Sequence, residues 1–222
     1  MNRMFDLSGR TAVITGGTGV LGSAMAEGLA AAGTKTVVIG RRKDAGDVVV
    51  ASIRAKGHQA IFVQADVLDE QQLLQAKEKI LSEYGSIDIL VNSAGGNLPG
   101  AIIMPEQNFF DLKMDEFQKV VDLNLKGTVL PTKVFCDVMA NRKKGVIINI
   151  ASMASFRPIT RVVGYSASKA AVDNFTQWLA VEMAKKFGEG IRVNAIAPGF
   201  FITEQNRKLL TNPDGTYTLR GE

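Results

Sequence analysis

Tyr165 and Lys169 stand four residues apart in GYSASKAAVDNF, and Ser152 lies thirteen residues (165 − 152) before the tyrosine. On a helix a four-residue spacing places the phenol and the amine on one face. A free tyrosine titrates near ~10 and is a poor base at neutral pH. An ammonium within a few ångströms stabilises a phenolate and lowers that value. A phenol tuned in this way can exchange a proton with a hydroxyl or carbonyl oxygen, and a serine hydroxyl can orient and polarise the same oxygen. Alone, a Y-x-x-x-K pair is weak, because amphipathic helices produce it by composition. Its weight depends on what else the chain carries.

The second constellation is TGGTGVLG, residues 15–22, which holds a literal G-x-G-x-x-G at Gly17, Gly19 and Gly22. It follows a strand-like run and opens a helical one. Glycines there let backbone amides approach phosphate oxygens, and the helix adds its positive end. A dinucleotide site is the expectation, with the tyrosine moving a proton as hydride passes to or from a nicotinamide. The acid that commonly follows ~20 residues later to hold a ribose hydroxyl is replaced by Gly40-Arg41-Arg42-Lys43. A carboxylate would repel a 2′-phosphate, whereas guanidinium groups would bind it bidentately. NADP(H) is therefore favoured. Asp44 lies close enough to keep NAD(H) open, and a plain solvated turn is the alternative.

Six short apolar runs must position these groups: TAVIT (11–15), TVVIG (36–40), AIFVQA (60–65), IDILVN (87–92), GVIINIA (145–151) and IRVNAIA (191–197). They are continuous rather than alternating, as strands covered on both faces are. Helical stretches lie between them, among them Leu21–Ala32 before Gly33 and Asp69–Tyr84 before Gly85. The pattern predicts an α/β fold in one domain over 1–222, a doubly wound parallel Rossmann-type sheet with helices on both faces. Ser152 then closes the fifth strand at its carboxyl end. One connection, 93–113, is long enough to suggest a functional loop.

Composition excludes other chemistries. With one cysteine (Cys136) and one histidine (His58) among 222 residues, neither a Cys/His zinc site nor a Ser-His-Asp triad is possible, and no metal is expected. No apolar run approaches the ~18 residues of a membrane helix, and a cytoplasmic location is the default. The net charge of +4 is mild, and the basic run 41–43 lacks the aromatics of a nucleic-acid surface.

Together these residues resemble the short-chain dehydrogenase/reductase family over about residues 5–210. That family's first turn reads T-G-x-x-x-G-x-G, so Thr15, Gly16 and Gly22 match while Val20 occupies the middle glycine's place; Gly19 is the substitute for close approach. The resemblance implies cofactor contacts at Gly16, Thr18, Gly19, Val20, Leu21 and Gly22, at Arg41 and Arg42, and at Asp66 and Val67 beside adenine. It implies further contacts at Asn92, Ala94 and Gly95 in NSAG, and at Pro198, Gly199 and Thr203, with Tyr165 and Lys169 also touching the cofactor. Asn124 in DLNLKG resembles the family's catalytic asparagine, completing Asn124, Ser152, Tyr165 and Lys169. Pro131 is expected to disturb the helix that follows.

Within the family, three stretches (15–22, 93–100 and 174–210) look like a sugar-acid branch, the D-mannonate oxidoreductases or fructuronate reductases. A gluconate or 2-deoxygluconate-type dehydrogenase is the runner-up, and a non-catalytic nucleotide-binding module the rival of another class. A carboxylate-bearing small molecule needs cations or amide donors, for which Asn97, Arg157, Asn206 and Arg207 are candidates. Relatives associate through their long helices, which implies a homo-oligomer, dimer or tetramer. They also continue past the sixth strand to a seventh, so a C-terminal segment is expected to be missing here.

Overall fold

The computed structural model describes residues 5–199, 201 and 207–218. Among these, six strands form one parallel sheet: β1 (Thr11–Thr15), β2 (Lys35–Gly40), β3 (Ala60–Gln64), β4 (Ile89–Asn92), β5 (Gly145–Ile150) and β6 (Ile191–Ile196). Their order is β3-β2-β1-β4-β5-β6, the Rossmann-type arrangement expected. Successive crossovers step outward from β1 in one direction and from β4 in the other. The reversal leaves a crevice at the carboxyl ends of β1 and β4, where such sheets bind ligands.

Helices α1 (Val20–Ala31) and α2 (Lys43–Ala55) cover one face; α3 (Glu70–Tyr84), α5 (Gly127–Arg142) and α6 (Val163–Phe187) cover the other. Side chains alternate across each strand. Val13, Val37, Leu90 and Ile147 therefore meet Leu73, Ile80, Phe135, Met139 and Met183 on one side. Ala12, Ile14, Val38 and Val91 meet Ala26, Ala30, Val50 and Ile53 on the other. Both layers exclude water from the inner strands, which therefore read as unbroken apolar runs; the edge strand β6 departs from that expectation, exposing Arg192 and Asn194 in alternation with buried Ile191 and Val193.

Strand boundaries differ from the sequence expectation by two residues or fewer. Asp69, read as the first residue of α3, is its N-cap, accepting from the Gln72 amide at 3.0 Å. Pro131 does not break its helix: α5 runs through it. The distortion lies upstream, where α4 (Met114–Val121) passes into a π-helical turn, Asp122–Lys126, centred on Asn124. His58 lies in the loop before β3, half-buried. No described helix is long and apolar enough to cross a membrane.

At the amino end of the sheet, the Asp88 carboxylate accepts from the Thr11 amide (2.9 Å), the Ser86 hydroxyl (2.8 Å) and the Arg142 guanidinium (2.8 Å). Burial alone would raise its pKa, but these donors together outweigh that and hold it below the usual carboxylate range. A depressed carboxyl stabilises the fold above its unfolded value, and that contribution is lost as pH falls through the folded one. Asp88→Asn should therefore cost about 1–3 kcal/mol at pH 7. The deficit should shrink below about pH 4, as measured by urea unfolding across pH.

Candidate active site

The first turn is built by two close approaches. Gly16 has φ 62, and a Cβ there would fall 2.6 Å from the Ala94 Cα; one on Gly22 would fall 2.2 Å from the Gly16 carbonyl oxygen. Any side chain at either position would push the β1 turn off the β4 loop or off α1. Gly19 differs. Its φ is −83, and a Cβ would meet nothing nearer than the Gly16 oxygen at 3.4 Å. The fold does not require glycine at this position, so the residue keeps space open outside it. Gly19 is the N-cap of α1, with no side-chain cap and no acid in the first turn. The leading amides and positive end of the helix therefore face outward without a protein counter-charge, which fits a phosphate. Val20 is half-exposed at the helix start and Leu21 is partly buried behind it.

The adenosine side lies at the ends of β2 and β3. The Thr18 side chain packs beside Gly40. Arg41 is exposed, 3.8 Å from the Asp66 carboxylate, and its carbonyl accepts from the Gln64 amide at 2.9 Å. Arg42 is exposed at the N-cap of α2. Asp66 also accepts from the Leu68 amide at 3.0 Å, while Val67 is buried against Gly127.

At the carboxyl edge, strand register aligns Thr15 with Asn92 and Asn92 with Asn149. Asn92 is expected to line the cofactor and to steady the sheet, and its side chain does the second. It turns into the interior, where its amide donates to Thr132 Oγ1 and Asn149 Oδ1, both at 2.8 Å. Asn149 donates onward to Thr176 Oγ1 at 2.9 Å. The sequence reading missed Asn149, Thr132 and Thr176. For Asn149 a polar residue inside a strand of apolar neighbours was the available signal; Thr132 and Thr176, on helices, carried none. Thr15 and Ser93 lock the two turns together, with the Ser93 hydroxyl donating to the Thr15 carbonyl at 2.8 Å.

Asn124 is fully buried in the π-turn. Its amide donates to Gly96 O and Val120 O, both at 2.8 Å, and its Oδ1 accepts from Gly96 N at 3.0 Å. It thus clamps the backbone of the loop after β4. A Cβ on Gly95 would sit 2.6 Å from Asn124 Oδ1 and 3.3 Å from Lys169 Nζ. The asparagine, the lysine and this glycine therefore meet at one point.

Lys169 is only 4% exposed. Its ammonium donates to the Ile150 carbonyl at 2.6 Å and lies 5.7 Å from the centroid of the Tyr165 ring. Burial pushes its pKa down to about 8. Ser152, two residues beyond Ile150, accepts from the Ala154 amide at 3.1 Å, so its hydroxyl proton remains available to donate. Lys169 reaches the carboxyl end of β5 through Ile150, and Ser152 follows that strand end by two residues.

The substrate candidates are less concentrated. Asn97, next to the clamped Gly96, has a buried Oδ1 with no partner among the described residues. Arg157 is exposed beyond the Ser152 turn, and Arg207 is exposed at the start of the short α7 (Arg207–Leu210). The Pro198 carbonyl accepts from the Met153 amide at 3.1 Å, bringing Pro198 and exposed Gly199 beside Ser152. Thr203 and Asn206 lie outside the described residues. No cluster of His, Cys, Asp and Glu suited to a metal occurs among the described residues.

Comparison with known proteins identifies the family. The family model for short chain dehydrogenase matches residues 10–214. An uncharacterized oxidoreductase of Bacillus subtilis, UxuB, is 47% identical over 97% of this chain and 79% of its own length. A solved Haemophilus influenzae structure, provisionally described as a D-mannonate oxidoreductase and holding NAD, is similar at TM-score 0.89 and 38% identity. That match covers 97% of this chain and 79% of that one. Another, provisionally a gluconate 5-dehydrogenase from Beutenbergia cavernae with NADP bound, is similar at TM-score 0.80 and 34% identity, covering 92% and 78%.

The Lys169 environment carries its own signature. The folded pKa of about 8 lies below the ordinary 10.5, so the native state bears the desolvation cost while the amine is protonated in both states and sheds it as pH rises. Relative to Lys169→Met, the parent should gain up to roughly 3 kcal/mol between pH 7 and pH 10.5, read by urea unfolding. A difference that stays flat with pH would show a hydrated amine instead.

Proposed function

The chain belongs to the short-chain dehydrogenase family, and from that premise we propose that it interconverts a keto-uronate and an aldonate, with D-fructuronate and D-mannonate as the pair. As a member of that family it is an NAD(P)-dependent oxidoreductase acting between a hydroxyl and a carbonyl group. The observation that carries the catalytic reading is the buried Lys169 ammonium set 5.7 Å from the Tyr165 ring centroid and bonded to the Ile150 carbonyl, two residues before Ser152.

When bound, the nicotinamide supplies or accepts the hydride at the reacting carbon. This chain's residues handle the oxygen and its proton. In the reducing direction Tyr165 Oη gives its proton to the carbonyl oxygen, which becomes the hydroxyl. Ser152 donates a hydrogen bond to the same oxygen and fixes its place. Lys169 stabilises the phenolate left behind, its charge lying 5.7 Å from the ring centroid on a buried side chain. Asn124 holds Gly96 and so fixes the loop after β4 where Gly95 passes close to the amine.

The sugar-acid assignment draws on the provisional D-mannonate oxidoreductase neighbour and on the polar groups near the cleft, among them the Asn97 Oδ1, an acceptor beside the clamped loop that suits a sugar hydroxyl. A gluconate-type substrate is the second reading, favoured by the Beutenbergia relative. NADP(H) is preferred over NAD(H), because Arg41 and Arg42 are exposed at the end of β2 where a 2′-phosphate would lie. The apolar groove lined by Val121, Leu125, Val129 and Leu130, together with exposed Trp178 and Val181, supports self-association through the helices.

Tyr165→Phe should lower kcat by about 10²–10⁴-fold while nicotinamide binding, followed by fluorescence titration, stays within twofold. Unchanged turnover would favour a binding module. In a panel of D-fructuronate, 5-keto-D-gluconate, glucose and a hydroxysteroid, only the acids should react; activity confined to the uncharged compounds would remove the carboxylate reading. Replacing Arg41 and Arg42 by Ala should raise the KM for NADPH at least about tenfold and leave that for NADH nearly unchanged.

A further inference from the structure

Arg161 adopts a left-handed backbone, φ 74, a region that costs a long L side chain on the order of 1 kcal/mol. The other described non-glycine residue with positive φ, Lys143, sits just past the end of α5, where that conformation closes a helix. Arg161 closes no helix. It lies in the loop between Ser152 and the start of α6, four residues before Tyr165.

Its contacts all run to the long connection after β4. The Ile103 amide donates to the Arg161 carbonyl at 2.9 Å, and Arg161 Nε donates back to the Ile103 carbonyl at 2.9 Å. Nη2 reaches the Met104 sulfur at 3.4 Å. One residue thus binds both backbone groups of Ile103 and the side chain beyond it. The near end of the same connection is held by Asn124 on Gly96, and its middle is seated by Ala101, which is buried. Past the arginine contact the connection loses its cover: Phe109 and Phe110 are exposed, the latter 92%. Residues 97–104, including Asn97, are therefore pinned at two points, one from each side of the cleft.

We propose that Arg161 is a positioning residue that fixes segment 97–104 against the loop leading to Tyr165 and so sets how tightly the site holds its substrate. The proposal rests on Tyr165 and Ser152 acting on that substrate. The strain at φ 74 persists because the side chain and carbonyl both need it to face Ile103. Glycine at 161 would keep the backbone pair, relieve the strain and delete only the guanidinium contacts.

For Arg161→Gly the expected results are an unchanged or higher Tm and at least about tenfold faster amide hydrogen exchange across 99–108. The KM for D-fructuronate should rise about tenfold, with kcat within threefold and the Kd for NADPH within twofold. Arg161→Lys, which retains a cation able to reach the Ile103 carbonyl, should recover part of both losses. Unchanged exchange over 99–108 would overturn the proposal. So would a raised KM without faster exchange, which would make Arg161 a direct ligand of the carboxylate. The exchange measurement needs no substrate, so a wrong sugar acid in the panel leaves it readable.

Discussion

A buried run of polar side chains across the carboxyl edge of the sheet sets the geometry on which the rest depends. Asn92 on β4 joins Asn149 on β5 and Thr132 on α5, and Asn149 joins Thr176 on α6. Thr132 donates to the Thr128 carbonyl and Thr128 to that of Asn124, each within about one turn. Asn124 then grips Gly96. Polar groups in an apolar interior are costly unless paired, and these pairs form with Asn92 level with Asn149 and with α5 and α6 turned to present Thr132 and Thr176. Apolar packing would tolerate a slipped helix, whereas this network would not. The positions of Ser152, Lys169 and the loop after β4 follow from it.

The same region carries a cost that packing must offset. Burying the Lys169 ammonium lowers its pKa and stores unfavourable desolvation in the native state. Its single described acceptor is the Ile150 carbonyl at the end of β5. A structural lysine would sit in water. An ammonium held dry beside a phenol is instead suited to stabilise negative charge on that phenol, because attraction between them is weakly screened. Stability surrendered at a site in exchange for preorganised charge is the pattern expected of catalytic groups.

Around this fixed floor the walls differ in character. The cofactor side is made by tight backbone approaches that leave little freedom, as at Gly16 on Ala94. The substrate side is made by the long connection after β4, tied down at Gly96 and Ile103 and otherwise exposed. Similar folds in relatives described with different sugar substrates fit this division, since loop walls can change while the sheet edge stays.

Much of this was legible in the residues themselves. Apolar runs bounded by glycine and charge located all six strands to within two residues, because the inner strands are buried on both faces, while the edge strand β6 alternates buried and exposed residues. The spacing of Tyr165 and Lys169 and the glycines of the first turn were readable because helix periodicity and steric exclusion act over a few residues. What neighbours in space decide was not readable. The inward turn of Asn92, the π-turn that aims Asn124 at Gly96, and the reach of Arg161 to Ile103 all join residues 28 to 58 positions apart. The Ile150 carbonyl that receives Lys169 is a backbone group, identical in every residue and silent in sequence. Local periodicity determined which elements form and which side chains share a helix face. Only the closed tertiary structure, in which most buried polar groups must find partners, decided which of those side chains meet.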